Sequence, residues 1–186
     1  MTDAREPTGL YESPENAIDL LLSHKRIVGP ILEPSAGLGR LVIPLRRHGF
    51  DVLARDLFHH GASSYLGIET PVDFITTTTI EFREIGINTI VMNPDYNVSD
   101  EHVRFALTLV GNTRRQSSCV CVLLRLNWIA AKKRKDLLQH LERIIITGRM
   151  KMLPPNVADR GHGGSVDYAW FVFVPRMVEG TIIVRA

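Results

Sequence analysis

Only two cysteines occur in 186 residues, and both, Cys119 and Cys121, fall in one valine-rich run. Strand alternation points their side chains the same way, with no other cysteine to meet, so reduced core thiols are expected in place of a disulfide framework or a metal site. No apolar run approaches the roughly 20 residues of a membrane span, and the first residues do not read as a signal peptide, so a cytoplasmic location is expected. A strict G-x-G-x-x-G fingerprint is also missing, because Gly37 and Gly39 are followed by Val42 at the third place. The adjacent His59 and His60 lack the spacing of a metal site, no metal is expected, and both are read as surface loop residues. Internal repeats and low-complexity blocks do not occur.

An apolar fraction of 45% and a charged fraction of 23% suit an ordinary globular chain. The length suits one domain, residues 10–186, behind a loose polar tail at 1–9. Net charge is only +2, yet the 111–160 segment carries eleven Lys or Arg against three Asp or Glu. That +8 leaves about −6 elsewhere, and the asymmetry suggests a side that faces a polyanion.

Strand and helix signals alternate. Ser13-Pro14 reads as a helix N-cap followed by proline at the first helical position, with Ile18, Leu21 and Leu22 on one face to about Lys25. Strands are expected at 27–32, 51–55, 72–75 and 89–92, and a helix over 39–48 whose Pro44 forces a kink or a late start. A loop with one helical turn fits 57–71. An amphipathic helix fits 100–110, a doubly buried central strand 118–124, and a basic helix about 130–141. Strands at 144–147, 168–174 and 181–184 complete a mostly parallel, doubly wound α/β sheet with an antiparallel strand near the C-terminus.

Successive strand ends carry the candidate chemistry. The first expected strand runs into Glu33-Pro34-Ser35-Ala36-Gly37-Leu38-Gly39, where glycine permits close approach of a ligand and Glu33 favours a cationic group, such as the aminopropyl end of a sulfonium, over a pyrophosphate. Asp56 ends the second and can accept bonds from two ribose hydroxyls. Asp73-Phe74 ends the third and can clasp an adenine amine while the ring packs on its face. Asn93-Pro94-Asp95-Tyr96 follows the fourth.

This arrangement resembles the class I S-adenosylmethionine-dependent methyltransferases over essentially the whole chain. Glu33 to Gly39, Ser35 included, looks like their glycine-rich first motif, Asp56 like the ribose-binding acid, and Asp73-Phe74 like the adenine-binding pair. Asn93-Pro94-Asp95-Tyr96 is similar to the Asn/Asp-Pro-Pro-Tyr/Phe loop of amino-methyltransferases. The resemblance implies that Asn93, Pro94 and Tyr96 are catalytic, with Asn93 also beside the cofactor. In that role the Asn93 oxygen and the Pro94 carbonyl accept from the target amine, and Tyr96 stacks on the base. Tyr11-Glu12-Ser13-Pro14 is similar to the aromatic-x-Thr-Pro element of adenine-specific DNA methyltransferases, so Tyr11, Ser13 and Pro14 are expected at the cofactor. The segments 124–128 and 167–171 extend the resemblance to compact phage- and prophage-borne enzymes of this type. Asp95 departs from the pattern, restoring a backbone N–H and freeing φ where a second proline is usual.

The implied cofactor is S-adenosyl-L-methionine, and the implied reaction is methylation of the 6-amino group of adenine in DNA. Related loops also serve RNA and protein-glutamine methyltransferases, and a catalytically silent cofactor- or nucleic-acid-binding protein is the alternative that Asp95 motivates. For the target, Lys132, Lys133 and Arg134 are expected on phosphates, Trp128 in the pocket wall, Trp170 in the core, and Arg160 and His162 on a loop overhanging the site. An adenine in duplex DNA must flip out to reach such a site. The chain leaves little room for a target-recognition domain, so selectivity is slight or a protein partner supplies it.

Overall fold

The computed structural model describes residues 12–14, 16–113, 117–152, 164 and 166–186. Seven strands form one sheet: β1 (Ile31–Glu33), β2 (Val52–Ala54), β3 (Thr89–Met92), β4 (Cys119–Arg125), β5 (Leu141–Gly148), β6 (Tyr168–Phe173) and β7 (Ile182–Arg185). Their order is β2-β1-β3-β4-β6-β5-β7. The first four and β5 run parallel, β6 is antiparallel between β4 and β5, and β7 is parallel to β5 at the edge. The expected fold class is the one observed.

Alternation along the strands builds two cores. Ile31, Val91, Cys119, Cys121, Leu123 and Trp170 pack with α1 (Ala17–His24) and α2 (Val42–Arg47) on one face. Leu32, Ile90, Met92, Val120, Val122, Phe171 and Phe173 pack on the other with α4 (Thr79–Ile85) and α5 (Ser99–Gly111). The run at 119–124 is fully buried in the middle of the sheet, as its unbroken apolar character requires. Both cysteines are free and buried, their sulfurs 4.0 Å apart. The late start of α2 at Val42 places Pro44 in its first turn, where a missing N–H costs nothing. The expected single turn in 57–71 is α3 (Ser63–Leu66).

Four expectations are corrected. Helix α1 starts at Ala17, not after Ser13, and Ala17 N–H donates to the Pro14 carbonyl. The first strand covers 31–33 and not 27–32, since Pro30 has no N–H for the ladder. Residues 72–75 form no strand: Asp73 caps a 3-10 turn, Phe74–Thr76, by accepting from Ile75 N–H, and Thr76 Oγ1 donates to the Asp73 carbonyl. Such local side-chain bonds compete with a ladder. The basic helix of 130–141 is instead two 3-10 turns, Leu126–Ala130 and Lys132–Arg134, then α6 (Lys135–Leu138). Arg134 is drawn inward by the Trp128 carbonyl and by Asp100 at 2.6 Å, which breaks the helical register. Helix α4, between Thr78 as its cap and Gly86, was missed altogether.

Trp170 is fully buried on β6, and its Nε1–H donates to the Ala17 carbonyl at 2.8 Å, fastening the start of α1 to the sheet. Trp170→Phe removes that tie and part of the packing of a fully buried indole, and should lower stability by roughly 1–3 kcal/mol in urea unfolding.

Candidate functional site

The chain winds outward both ways from the centre, β1 to β2 on one side and β3 to β4 on the other, so the carboxyl ends of β1 and β3 splay apart. A crevice opens at such a switch point in parallel α/β sheets. Here it is a cavity of about 340 Å³ walled by the turn after β1, the ends of β2 and β3, the 3-10 turn at Phe74 and the first turn of α5.

Glu33 lies at its base, fully buried. Oε1 accepts from Ser35 N–H at 3.0 Å, whereas Oε2 is buried with no hydrogen-bond partner. Burial pushes the Glu33 pKa well above the usual carboxylate range; the Ser35 bond opposes this and the Asp56 charge adds to it. Asp56 holds the glycine turn in place: Oδ2 accepts from Gly37 N–H at 2.7 Å, Oδ1 from Phe58 N–H at 2.8 Å, and His60 Nε2 is 3.5 Å from Oδ1. A carboxylate offers about four acceptor sites, so both oxygens keep capacity for hydroxyl donors.

On the opposite wall, Asn93 donates from Nδ2 to Ser13 Oγ at 3.0 Å, and its Oδ1 is buried without a partner. Ser13 thus orients the amide and does not cap α1. Asp95 Oδ1 accepts from Asn97 N–H at 2.8 Å, a side-chain turn that fixes the loop where a proline ring would otherwise do so. Phe74 is buried edge-on to Phe105 and His102. His102 lines the cavity, has no partner at Nδ1, and is held below the ordinary histidine pKa by burial, against the charges of Asp73, Glu101 and Asp95.

Among the expected site residues, Ser13, Glu33, Ser35, Gly37, Asp56, Asp73, Phe74 and Asn93 converge on this cavity. Others do not. Gly39 lies outside the wall; its φ of +79° and a Leu66 carbon 2.2 Å from where a Cβ would stand make it a packing glycine. Pro14 and the buried Pro94 are also outside it. Tyr96 packs below the rim against Tyr168, ring centroids 6.4 Å apart, and the Arg125 guanidinium covers it at 4.9 Å. Trp128 is a core residue and not a pocket wall: its Nε1–H donates to Ser99 Oγ, and its ring meets Phe171, Phe173 and Arg134. Lys133 and Arg134 both pair with Asp100, whose carboxyl is held below its ordinary pKa by these two although burial pushes upward. Lys132 stays exposed. Tyr11, Arg160 and His162 lie outside the described residues. The reading missed Glu12, Arg40, His60, Glu101 and His102 in the wall, and took His60 for a surface residue although its side chain is only 12% exposed. Val98, Glu101 and His102 were findable, since i, i+3 and i+4 share a helix face beyond the Asn93 loop.

Six carboxyl groups, on Glu12, Glu33, Asp56, Asp73, Asp95 and Glu101, meet one arginine, Arg40, among the described wall residues. A pyrophosphate is disfavoured by that balance. A nucleoside bearing ammonium and sulfonium charges fits it, with the orphaned Glu33 oxygen as its deepest acceptor. No group of three or more metal-ligating side chains occurs among the described residues.

No protein-family model matches the sequence. No curated protein matches it either. The fold is similar to that of a Lactococcus lactis protein described as a hemolysin (TM-score 0.61, 10% identity, covering 90% of each chain). It is also similar to a structure assigned to the class I S-adenosylmethionine-dependent methyltransferases from Listeria monocytogenes (0.53, 10%, 94% of this chain and 65% of that one). A third is the M protein of the type I restriction enzyme EcoKI (0.55, 11%, 97% and 49%). The architecture is therefore the Rossmann-like fold of class I S-adenosylmethionine-dependent methyltransferases. The chain spans about two thirds of the Listeria structure and half of the M protein.

Because Glu33 binds its proton more tightly folded than unfolded, its contribution to stability falls as pH rises from about 4.3, the unfolded value, to the raised folded value. Glu33→Gln should therefore gain stability over the parent by a margin that widens across that window. The same variant should lose the rise in melting temperature that S-adenosylmethionine gives the parent. Melts from pH 5 to pH 8, with and without the ligand, check both; a margin flat with pH would contradict the sign.

Proposed function

We propose that the chain transfers the methyl group of S-adenosylmethionine to the 6-amino group of adenine in DNA. The observation that carries the reading is the buried, unpartnered Oδ1 of Asn93, a residue that follows β3, lines the acidic cavity and has its amide fixed by Ser13.

When bound, S-adenosylmethionine supplies an electrophilic methyl on its sulfonium. Glu33 takes the ammonium end, Asp56 the ribose hydroxyls, and Asp73 with Phe74 the adenine. An exocyclic aromatic amine is a weak nucleophile because its lone pair is delocalised. Asn93 Oδ1 accepts one of its hydrogens, drawing the nitrogen toward tetrahedral geometry and stabilising the positive charge that develops during attack. Asp95, tied to Asn97, keeps the loop ordered without the second proline, which favours an active site over a silent one. The shared fold with the M protein of a restriction enzyme supports a nucleic-acid target.

Labelled S-adenosylmethionine offered with unmethylated DNA, RNA and glutamine-bearing protein should label adenine in DNA. Asn93→Ala should lower transfer by on the order of 10²–10³-fold with the circular dichroism unchanged. Label confined to RNA or protein would replace the substrate, and absence of label despite calorimetric binding of S-adenosylmethionine would leave a silent binding protein. Asp95→Asn, which retains the turn acceptor, should keep kcat, and Asp95→Ala should lower it several-fold.

A further inference from the structure

The basic run at 132–135 is the obvious polyanion surface in the sequence, but Asp100 takes up Lys133 and Arg134, and Asp136 pairs with Arg104. Lys132 and Lys135 of that run stay exposed, and further cationic groups lie at the carboxyl edge of the sheet. Arg125 ends the central strand, exposed beyond six buried residues. Among the described residues it makes no ion pair or side-chain hydrogen bond, and its guanidinium stands over the Tyr96 ring, 4.9 Å from the centroid. Tyr96 is three residues from Asn93 and rests on buried Tyr168.

The sheet register continues the row. Arg125 pairs with Tyr168 on β6, and Tyr168 with Gly148 on β5. Neighbouring strands are about 4.8 Å apart, so the ends of β4 and β5 are separated by roughly 10 Å at one level of the sheet's carboxyl edge. Arg149 follows Gly148 there, 71% exposed, and among the described residues its one ion pair is at 3.8 Å to the half-exposed Asp167. A surface pair of that kind contributes little and exchanges readily.

We propose that Arg125 and Arg149 form a docking surface for the phosphodiester backbone of a nucleic-acid strand, the strand whose base enters beside Asn93. The inference rests on the nucleic-acid reading above and names the surface that reading leaves unassigned. Two guanidinium forks present planar donor sets to phosphate oxygens. Arg125 stands on the aromatic ring of the candidate catalytic loop, so leaving that ring for a phosphate uncovers the Tyr96 face as a platform for the incoming base. Arginine interleaved with aromatic side chains at a strand end is a combination suited to single-stranded or flipped-out nucleic acid.

The test is fluorescence anisotropy of the full chain with a labelled, adenine-containing DNA single strand of about 12 nucleotides, titrated at several salt concentrations. Arg125→Ala and Arg149→Ala should each weaken binding several-fold and flatten the slope of log K against log salt by about 0.7, while Arg125→Lys keeps the slope. Calorimetric affinity for S-adenosylmethionine should be unchanged in all of them, which also reports that they fold. The Lys132→Ala, Lys135→Ala double variant should bind nearly as the parent does. Wild-type affinity and slope in both arginine variants would overturn the surface, as would equal competition by polyglutamate of matched charge. If the expected binding pattern appears but no methyl group is transferred to DNA or RNA, the catalytic reading fails and the docking surface stands.

Discussion

A buried carboxyl group at the switch point of the sheet sets the terms for the rest of the site. Glu33 ends β1 at full burial, with one oxygen paired to its own turn and the other unpaired. An isolated charge there is unfavourable, which is why burial raises the pKa of Glu33. Folding tolerates the group because strong backbone bonds surround it. Asp56 ties the glycine turn to the end of β2, Arg55 pairs with Glu69 and Glu81, and Asp56 N–H and carbonyl are bonded to Glu69 and Val72. The acceptor at the base is thus held open by neighbours that are themselves satisfied, and that arrangement suits a cationic guest.

Charge is divided by position along the strands. Acidic side chains gather inside the crevice, where a cationic nucleoside would sit, and arginines stand on the rim of β4 and β5, where a polyanion would pass. The imbalance of the 111–160 segment already pointed to this division, but two of its cations, Lys133 and Arg134, do not serve it. Lys133, Arg134 and Arg104 are used to clamp the 3-10 turns and α6 onto α5. Arg134 also covers Trp128, which turns a candidate pocket aromatic into part of the core.

The central elements were legible because their burial is written as periodicity. The unbroken run at 119–124 could only be an inner strand, the 3.6-residue pattern after Asp100 gave α5, and the carboxylates at successive strand ends gave most of the cavity wall. Legibility failed where local polar bonds decide the backbone. Asp73 and Thr76 convert an expected strand into a 3-10 turn, and Arg134 breaks an expected helix by a contact with Asp100 that is 34 residues distant. Gly39 looked like a ligand glycine from its spacing, yet the constraint on it is Leu66 from a separate helix. Ser13 read as a local cap because its true partner, Asn93, is 80 residues away.

That last contact shows how the loop after β3 is organised with Asp95 where the Asn/Asp-Pro-Pro-Tyr/Phe loop it resembles has a second proline. A proline restricts φ covalently, whereas here the restriction is distributed over hydrogen bonds: Asp95 to Asn97 within the loop, Ser99 Oγ to the Tyr96 carbonyl, and Asn93 to Ser13 across the crevice. The Trp128 indole joins the set through Ser99, so the end of β4 reports on the loop that follows β3. Bonds of this kind hold geometry only while their partners remain in place. Ser13 belongs to the segment that leads into α1, so the direction in which Asn93 presents its oxygen depends on that segment lying across the crevice. The candidate acceptor is therefore completed by a residue outside the strand and loop that carry it, which places the aim of Asn93 under the control of the N-terminal segment.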